Sequence, residues 1–398
     1  MQGCCNSKTE TNVMLKQLKR FTLQVIAGAN IATILVMLFV GYSDHVSPET
    51  FPTLSTAGLA FPVILVVNLA FLLFWLIFKP LYALIPIGGL LLAFQPVRNY
   101  CPLNLPPSSH AEASKDSVIT LLSFNAYNLE QLSISDFQQH VVDYLLEQDA
   151  DIVCMQEFQM TVATRETLSN HYPYIDTTRV VRGGDALTVM SRFPILGKQH
   201  IYSYSPDNQR AEAHSAAFLL QLDADTLIVV NSHLESTRLT EQERANFKRI
   251  VKGDMERNDA GRESKKLLER LAESTRLRAP QVEALCQYLD SVQSSPQNDK
   301  SNINQETTHG QAGLLLCGDF NDGPISYAHH AVAERLTDCY VKSGNGPGIS
   351  YHANAFYVRI DHIFCSNKWQ PIYTKIDKNM AFSDHYPLIC TLKRPLKP

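Results

Sequence analysis

The chain has 398 residues, 35 Lys or Arg against 39 Asp or Glu, and 45% hydrophobic residues. That balance excludes a disordered or collagen-like protein, and the length suits one large domain with an appendage. Charge is uneven: six basic and three acidic residues precede position 110, leaving 29 and 36 beyond it, a net of −7 that argues against tight, non-specific binding of nucleic acid.

The first 20 residues read as a basic cytoplasmic tail carrying Lys8, Lys16, Lys19 and Arg20. Uncharged stretches follow from Leu23 to Val40 and from Thr50 to Phe78, each long enough to cross a bilayer as a helix. A third run, Leu81 to Phe94, is shorter and holds Pro86, Gly88 and Gly89, so residues 21–97 form a transmembrane region of two or three helices. No small-residue cleavage site follows the first stretch, and a second one comes soon after, which disfavours a signal peptide. The loop from Gly41 to Ala57 has no basic residue and carries Asp44 and Glu49, which places the amino terminus in the cytoplasm. If Leu81 to Phe94 crosses, the rest of the chain is extracytoplasmic, the expectation taken here; if it does not, the rest faces inward. The chain is thus expected to be a multi-pass protein of the cell membrane, with the lipid bilayer as one partner.

Residues 98–116 read as a linker rich in proline and serine. From Ser117 to the end, strand-like runs alternate with helical stretches: Val118 to Phe124, Ile152 to Gln156, Ala186 to Met190, Ala216 to Leu222, Thr226 to Asn231, Gly313 to Cys317, Ile360 to Cys365 and Pro387 to Leu392. The fifth and fourth are joined by a tight Asp-Ala-Asp turn, which predicts an antiparallel hairpin. Helices are expected at Ser135 to Gln148 and over much of Thr240 to Val292, with Pro280 splitting the latter. Ser294 to Gln311 is polar and reads as a surface loop. The pattern is α/β, with two sheets packed on each other and helices outside. Nine cysteines show no metal-type spacing; Cys154, Cys317, Cys365 and Cys390 sit in apolar runs and read as small buried hydrophobes, and free thiols weigh somewhat towards a reducing compartment.

Polar clusters recur where apolar strands end: Ser123-Phe-Asn125, Gln156-Glu157, Asn231-Ser-His233, Gly318-Asp319-Phe-Asn321-Asp322, Arg359-Ile-Asp361-His362 and Ser383-Asp384-His385. Such groups converge on one sheet edge, where α/β proteins build sites. The inventory is carboxylates, asparagines and histidines, with no nucleophile elbow. It suits attack by water at phosphorus: a hard carboxylate ligand holds Mg²⁺ or Mn²⁺, a second carboxylate deprotonates the water, and neutral donors with a histidine meet the charge growing on the phosphoryl oxygens.

The strings LLSFNAYNL, DIVCMQEF, NSHLES, GDFND, RIDHIF and SDHYPL resemble, in order and approximate spacing, the endonuclease/exonuclease/phosphatase superfamily over residues 117–393. The resemblance implies a four-layered sandwich over 117–398 and a metal-dependent phosphoester hydrolase of phosphodiesterase, nuclease or sphingomyelinase type. It implies metal-side roles for Glu157, Asn125 and Asp384, water activation by Asp319, and phosphate contact by Asn125, Asn321, His233 and His385. His385 also matches the histidine that stabilises the transition state or protonates the leaving group, with Asp361 orienting it. Tyr127 stands where abasic-site endonucleases carry an aspartate, which separates this chain from that branch. Taken singly, the asparagines also read as turn residues, Asp361 as a partner of Arg359, and His233 and His385 as structural histidines. His329, His330, His352 and His362 read as structural or exposed, Asp322 as a turn residue, and Arg182, Arg210 and Arg278 as surface or fold residues. Phospholipid, nucleic acid and nucleotide substrates are not distinguished, and the alternative function is an inactive membrane-anchored binding module of the same fold.

Overall fold

The computed structural model describes residues 3–105, 118–127, 133–178, 186–205, 207, 211–294, 311–353, 355–380 and 382–394. The expected polar loop at 294–311 and the linker beyond residue 105 therefore fall almost wholly outside the described residues, as do Arg182 and Arg210. The chain divides into two compact units, one of residues 1–43 and 57–98, the other of residues 44–56 and 99–398.

The amino-terminal elements are helix α1 (Gly3–Gly41), a short helix α2 (Pro52–Ser55), α3 (Phe61–Phe78), α4 (Leu84–Leu92) and α5 (Phe94–Tyr100). Two helical stretches, Val13–His45 and Pro52–Phe78, are long and apolar enough to cross a membrane; Pro80–Leu92, which ends in α4, and α5, bent by 70° against each other, form a third, broken candidate. Inside the first unit the amides of Asn30 and Asn68 are buried. The Trp75 indole donates to Asn30 Oδ1 at 3.1 Å and the Asn68 amide to the Ile64 carbonyl at 2.9 Å. Polar side chains within apolar helices are tolerated when their hydrogen bonds are met this way. The outer positions Val63, Val66, Leu73 and Ile77 are exposed, as side chains facing lipid would be.

The second unit continues with β1 (Val118–Asn125), α6 (Ile134–Gln148), β2 (Ile152–Gln156), α7 (Val162–Ser169), β3 (Tyr174–Thr177), β4 (Thr188–Ser191), β5 (Ile195–Tyr204), β6 (Ala211–Leu222) and β7 (Asp225–His233). There follow α8 (Glu241–Lys252), α9 (Arg257–Ser294), β8 (Gln311–Asp319), α10 (Tyr327–Ala333), β9 (Thr337–Asp338), α11 (Cys339–Ser343), β10 (Asp361–Cys365), β11 (Gln370–Ile376) and β12 (Leu388–Lys393). They build two mixed six-stranded sheets, ordered β11-β12-β1-β2-β4-β3 and β5-β6-β7-β8-β10-β9.

Alternation along the strands makes four layers. Leu121, Ile152 and Cys154 point between the sheets and meet Phe218, Val229, Leu315 and Ile363. Their neighbours Leu122, Val153 and Met155 point outward onto Phe137, Val141 and Leu145 of α6. On the far side Val230, Leu316 and Phe364 are covered by Val282, Leu285 and Leu289 of α9 and Val332 of α10. Each such fully buried side chain contributes about 1.5–3 kcal/mol, so a period-two pattern with both faces apolar suffices to hold both strands and cover helices.

The β6–β7 pairing closes at Leu222 opposite Asp225, as the turn chemistry predicts, with Asp223 at φ 57°. The long helical region differs from expectation. Pro280 lies inside α9 and does not divide it; the break falls at Gly253, whose φ of 76° ends α8. A proline costs a helix one backbone hydrogen bond, and here the side chains around it, Arg278, Ala279, Gln281 and Val282, are all buried, so packing outweighs that loss. Helix α8 starts at a capping box formed by Thr240 and Glu243.

Candidate active site at the strand ends

Strand register alone gathers most of the site. In the parallel pair β1–β2 Asn125 is level with Gln156, and in the parallel pair β7–β8 His233 is level with Asp319. Antiparallel β10 begins with Asp361 opposite that same Asp319. Strand β12 runs antiparallel to β1, so the segment leading into it, Ser383 to His385, arrives beside the end of β1. The Ser383 hydroxyl donates to the Asn125 carbonyl at 2.9 Å and fixes that approach.

Beneath this edge the two sheets are tied by a buried amide ladder. Gln156 donates to Asn231 Oδ1 at 2.6 Å, and the Asn231 amide donates to the carbonyls of Met155 and Thr188 at 3.1 Å. The backbone is strained at two candidate site positions: Glu157 at φ 56° and Asn321 at φ 51° are left-handed, a conformation that costs energy in residues other than glycine and gathers at sites. Gly318, at φ 139°, lies so close to β7 that a Cβ would fall 1.9 Å from the Ser232 carbonyl oxygen. Only glycine allows β7 and β8 to approach this closely just before Asp319.

The side chains meet as follows. The Asn125 amide donates to Glu157 Oε1 and to Asp319 Oδ2, each at 3.0 Å. His233 Nε2 lies 3.6 Å from Glu157 and 3.7 Å from Asp319. His385 Nδ1 bonds Asp361 Oδ2 at 2.8 Å, and its Nε2 stands 3.6 Å from Asp319 Oδ2. Asp319 Oδ1 accepts the Asn321 backbone N–H at 2.7 Å, while the Asn321 amide donates to the Leu234 carbonyl. Asn125, Asp319, Asp361, Asp384 and His385 are all buried. Every residue singled out from the sequence for the site thus lies at this edge, and Asp361 pairs with His385 rather than Arg359, whose guanidinium instead reaches the Pro347 and Asn99 carbonyls.

Electrostatics set the charge states. Burial works against a charged His385, yet the Asp361 and Asp319 carboxylates beside it prevail and hold its pKa up at about 10. Burial raises the Asp319 carboxyl, with His385 pulling the other way. Asp384 is pushed up to about 6 by burial, opposed by His385 and reinforced by Glu157. Asn125 Oδ1, Asp361 Oδ1 and Asp384 Oδ1 are buried without a hydrogen-bond partner among the described residues. Buried oxygens left open in this way are what a hard cation takes up, and Asp319, Asp361 and His385 offer ligand atoms within 4.8 Å of one another.

Two neighbours escaped the sequence reading. Arg244 of α8 donates to the Tyr351 hydroxyl at 3.2 Å, and the Tyr351 ring lies edge-on to His385 with centroids 5.0 Å apart. Arg244 sits in a mixed-charge helix that reads as solvated, and its one sequence signal is that helix's position directly after the His233 cluster. Of the histidines set aside, His329 bonds Asp338 at 2.8 Å, His362 bonds the Asp322 carbonyl at 3.0 Å, and His352 stacks on Tyr386. Arg278 is buried and pairs with Asp322 at 3.4 Å, a structural contact.

The profile of the Endonuclease/Exonuclease/phosphatase family matches residues 122–385. The chain belongs to this family. A second profile, a domain of unknown function numbered DUF8431, matches residues 23–100. Among curated proteins none matches the sequence. Solved structures similar to this family member include the human Nocturnin catalytic domain with bound sulfate, at 16% identity over 73% of this chain and 96% of that one, TM-score 0.47. An endonuclease/exonuclease/phosphatase from Bacteroides vulgatus gives 15% identity over 70% and 99%, TM-score 0.45. D. rerio TDP2 complexed with a single-strand DNA product gives 16% over 70% and 99%, TM-score 0.44.

Proposed function

We propose that the strand-end site hydrolyses phosphoesters by attack of water at phosphorus, with Mg²⁺ as the cation and a membrane-surface phosphodiester as the substrate class. The observation that carries this reading is a His385 kept charged by Asp361 and facing Asp319, opposite the Glu157–Asn125 pair. Glu157, with the open oxygens of Asn125 and Asp384, fits an ion that prefers hard oxygen donors. When bound, such an ion offsets charge on the phosphoryl oxygens.

The chain's own residues then have distinct tasks. Asp319, its basicity raised by burial, takes the proton of the attacking water while the Asn321 N–H and the Asn125 amide hold the carboxylate in place. His233 and the Asn321 side chain contact phosphate oxygens. The protonated Nε2 of His385 meets the charge of the transition state and protonates the leaving oxygen, and Asp361 holds the ring by Nδ1. Arg244 adds a cation at the rim for a second phosphate oxygen. With the metal-side, base and acid positions all present, catalysis is favoured over a binding module that has lost activity.

Residues 44–56 and the chain from 99 onward form one compact unit, and α2 packs on α9 within it. Both ends of the stretch 57–98 therefore lie on one side of the membrane, so that stretch crosses twice: once as α3 and once as the broken pair α4–α5. With α1 as the first crossing and the basic residues before it in the cytoplasm, the catalytic domain is extracytoplasmic. The free cysteines of its core are buried, which shields them from oxidation there.

The test is hydrolysis by the full-length protein in detergent micelles of sphingomyelin, phosphatidylinositol phosphates, DNA, RNA and bis-p-nitrophenyl phosphate, with and without Mg²⁺. Metal-dependent turnover of a lipid supports the whole reading; turnover of nucleic acid alone removes the lipid part. Labelling of a carboxyl-terminal tag by an impermeant reagent on intact cells tests the location, and a tag reached only after lysis contradicts it.

A further inference from the structure

A second group of ligand-type side chains lies in the catalytic unit, away from the strand ends. Asp44 and His45 form a single turn of 3₁₀ helix just after α1, and His330 comes from α10. His45 Nε2 lies 3.8 Å from Asp44 Oδ1, and His330 Nδ1 lies 3.9 Å from Asp44 Oδ2. The two imidazole rings have centroids 4.0 Å apart at an angle of 59°. All three residues can bring a ligand atom within 4.8 Å of the others.

Three features separate this group from an ordinary ion pair. First, the contacts exceed hydrogen-bond length, whereas the histidine–aspartate pairs His329–Asp338 and His385–Asp361 both close to 2.8 Å. Separations of 3.8 and 3.9 Å leave room for an ion between the groups, since ligands at about 2.0–2.1 Å from a tetrahedral ion stand about 3.3 Å apart. Secondly, Asp44 is 5% exposed, and its Oδ1, which faces His45, has no hydrogen-bond partner among the described residues. A buried carboxylate oxygen left open is costly unless something takes it up. Thirdly, the ring nitrogen of His330 turned away from Asp44, Nε2, is 3.5 Å from Glu334 Oε1. A carboxylate on the far nitrogen of an imidazole is the arrangement that orients metal-binding histidines.

We propose that Asp44, His45 and His330 bind one Zn²⁺. Two imidazoles and one carboxylate suit zinc better than Mg²⁺ or Ca²⁺, which take oxygen. The fourth position is open to water on the side of His45, whose side chain is 55% exposed. The ion clips the segment that follows the first apolar helix to α10, and so ties residues 44–56 to the domain that carries the chemistry. Its ligands are distinct from those of the strand-end site, and its existence does not depend on the reaction proposed there.

The experiment uses full-length protein in detergent, stripped with a chelator and titrated with Zn²⁺ against a chromophoric chelator, with Mg²⁺ in excess. Wild type and Glu157→Gln should each bind one tight equivalent. His45→Ala, an exposed substitution that leaves the core untouched, and His330→Ala should lose it. Glu334→Gln should retain it with affinity weaker by about 10–100-fold. Co²⁺ in place of Zn²⁺ should give the intense visible d–d absorption of a tetrahedral site in wild type and not in His45→Ala. Absence of a tight equivalent in wild type, or wild-type stoichiometry and affinity in folded His45→Ala, overturns the proposal.

Discussion

Two buried histidine–aspartate pairs take their aspartates from one sheet, Asp361 from β10 and Asp338 from β9, and they have opposite characters. His385–Asp361 and His329–Asp338 have the same 2.8 Å contact and the same lack of solvent. The first pair stands at the strand ends, where Asp319 adds a further carboxylate and His385 is held charged, with a pKa of about 10. The second lies under α10 on the outer face, packed with Phe364 and His362. Burial together with the neighbouring His329 drives His362 down to about 3, so it stays neutral. Asp361 and His362 are adjacent in sequence and serve the two different places, because successive side chains of β10 point to opposite faces. Residue type therefore does not define a site; position at the strand end, beside uncompensated carboxylates, does.

The comparison breaks most sharply under truncation. Asp319→Ala and His385→Ala should each lower kcat by about 10³–10⁴-fold, and His385→Ala should also lower Tm, because buried Asp361 loses its partner. His329→Ala should lower stability alone, by about 3–5 kcal/mol, through loss of the 2.8 Å partner of buried Asp338, while kcat holds. Steady-state kinetics alongside thermal melts would show it; a kcat loss in His329→Ala as large as that in His385→Ala would erase the distinction. Next in size, Glu157→Gln should raise the Mg²⁺ concentration for half-maximal rate by roughly 10–100-fold, read from metal titrations.

A smaller effect lies in pH. The His385 pKa is raised in the folded state above its ordinary value of 6.5, so the pair stabilises the fold fully below about 6.5 and loses that contribution as pH rises through about 10. In the chelated, metal-free protein the Tm gap between wild type and Asp361→Asn should narrow over that window, and a gap constant with pH would contradict the charge assigned to His385. Asp384 works in the opposite sense. Its folded pKa of about 6 exceeds the ordinary 3.8, so its ionisation destabilises the metal-free fold above about pH 6, and Asp384→Asn should melt higher than wild type there, with the two converging below about pH 4. Smallest of all, Arg244→Ala should raise KM about tenfold with kcat nearly unchanged, as expected for a contact to a non-reacting phosphate oxygen.

The strand ends were legible in the sequence because apolar runs such as Ile152 to Gln156 end in polar residues, which are costly to bury unless hydrogen bonds or a ligand take them up. The strands that bury least, β3 and β11, and the exposed β5 gave no such signal. They lie at or next to sheet edges, where pairing with a neighbour rather than burial makes them strands. Pro280 misled because a local rule for helices yields to the packing of a long amphipathic one. Arg244 and Tyr351 were hidden because their part in the site is decided by α8 docking beside β12's approach, a tertiary event with no local pattern. The Asp44, His45 and His330 group was illegible for the same reason, its members being 285 residues apart in the chain.

Water attack at the strand-end site is tested most directly by Mg²⁺-dependent release of product from a phosphodiester by the full-length protein, measured together with Asp319→Ala under identical conditions. Turnover should disappear with chelation, return with Mg²⁺ and fall about 10³-fold or more in the folded variant. Equal rates for wild type and variant, or turnover indifferent to the metal, would contradict it.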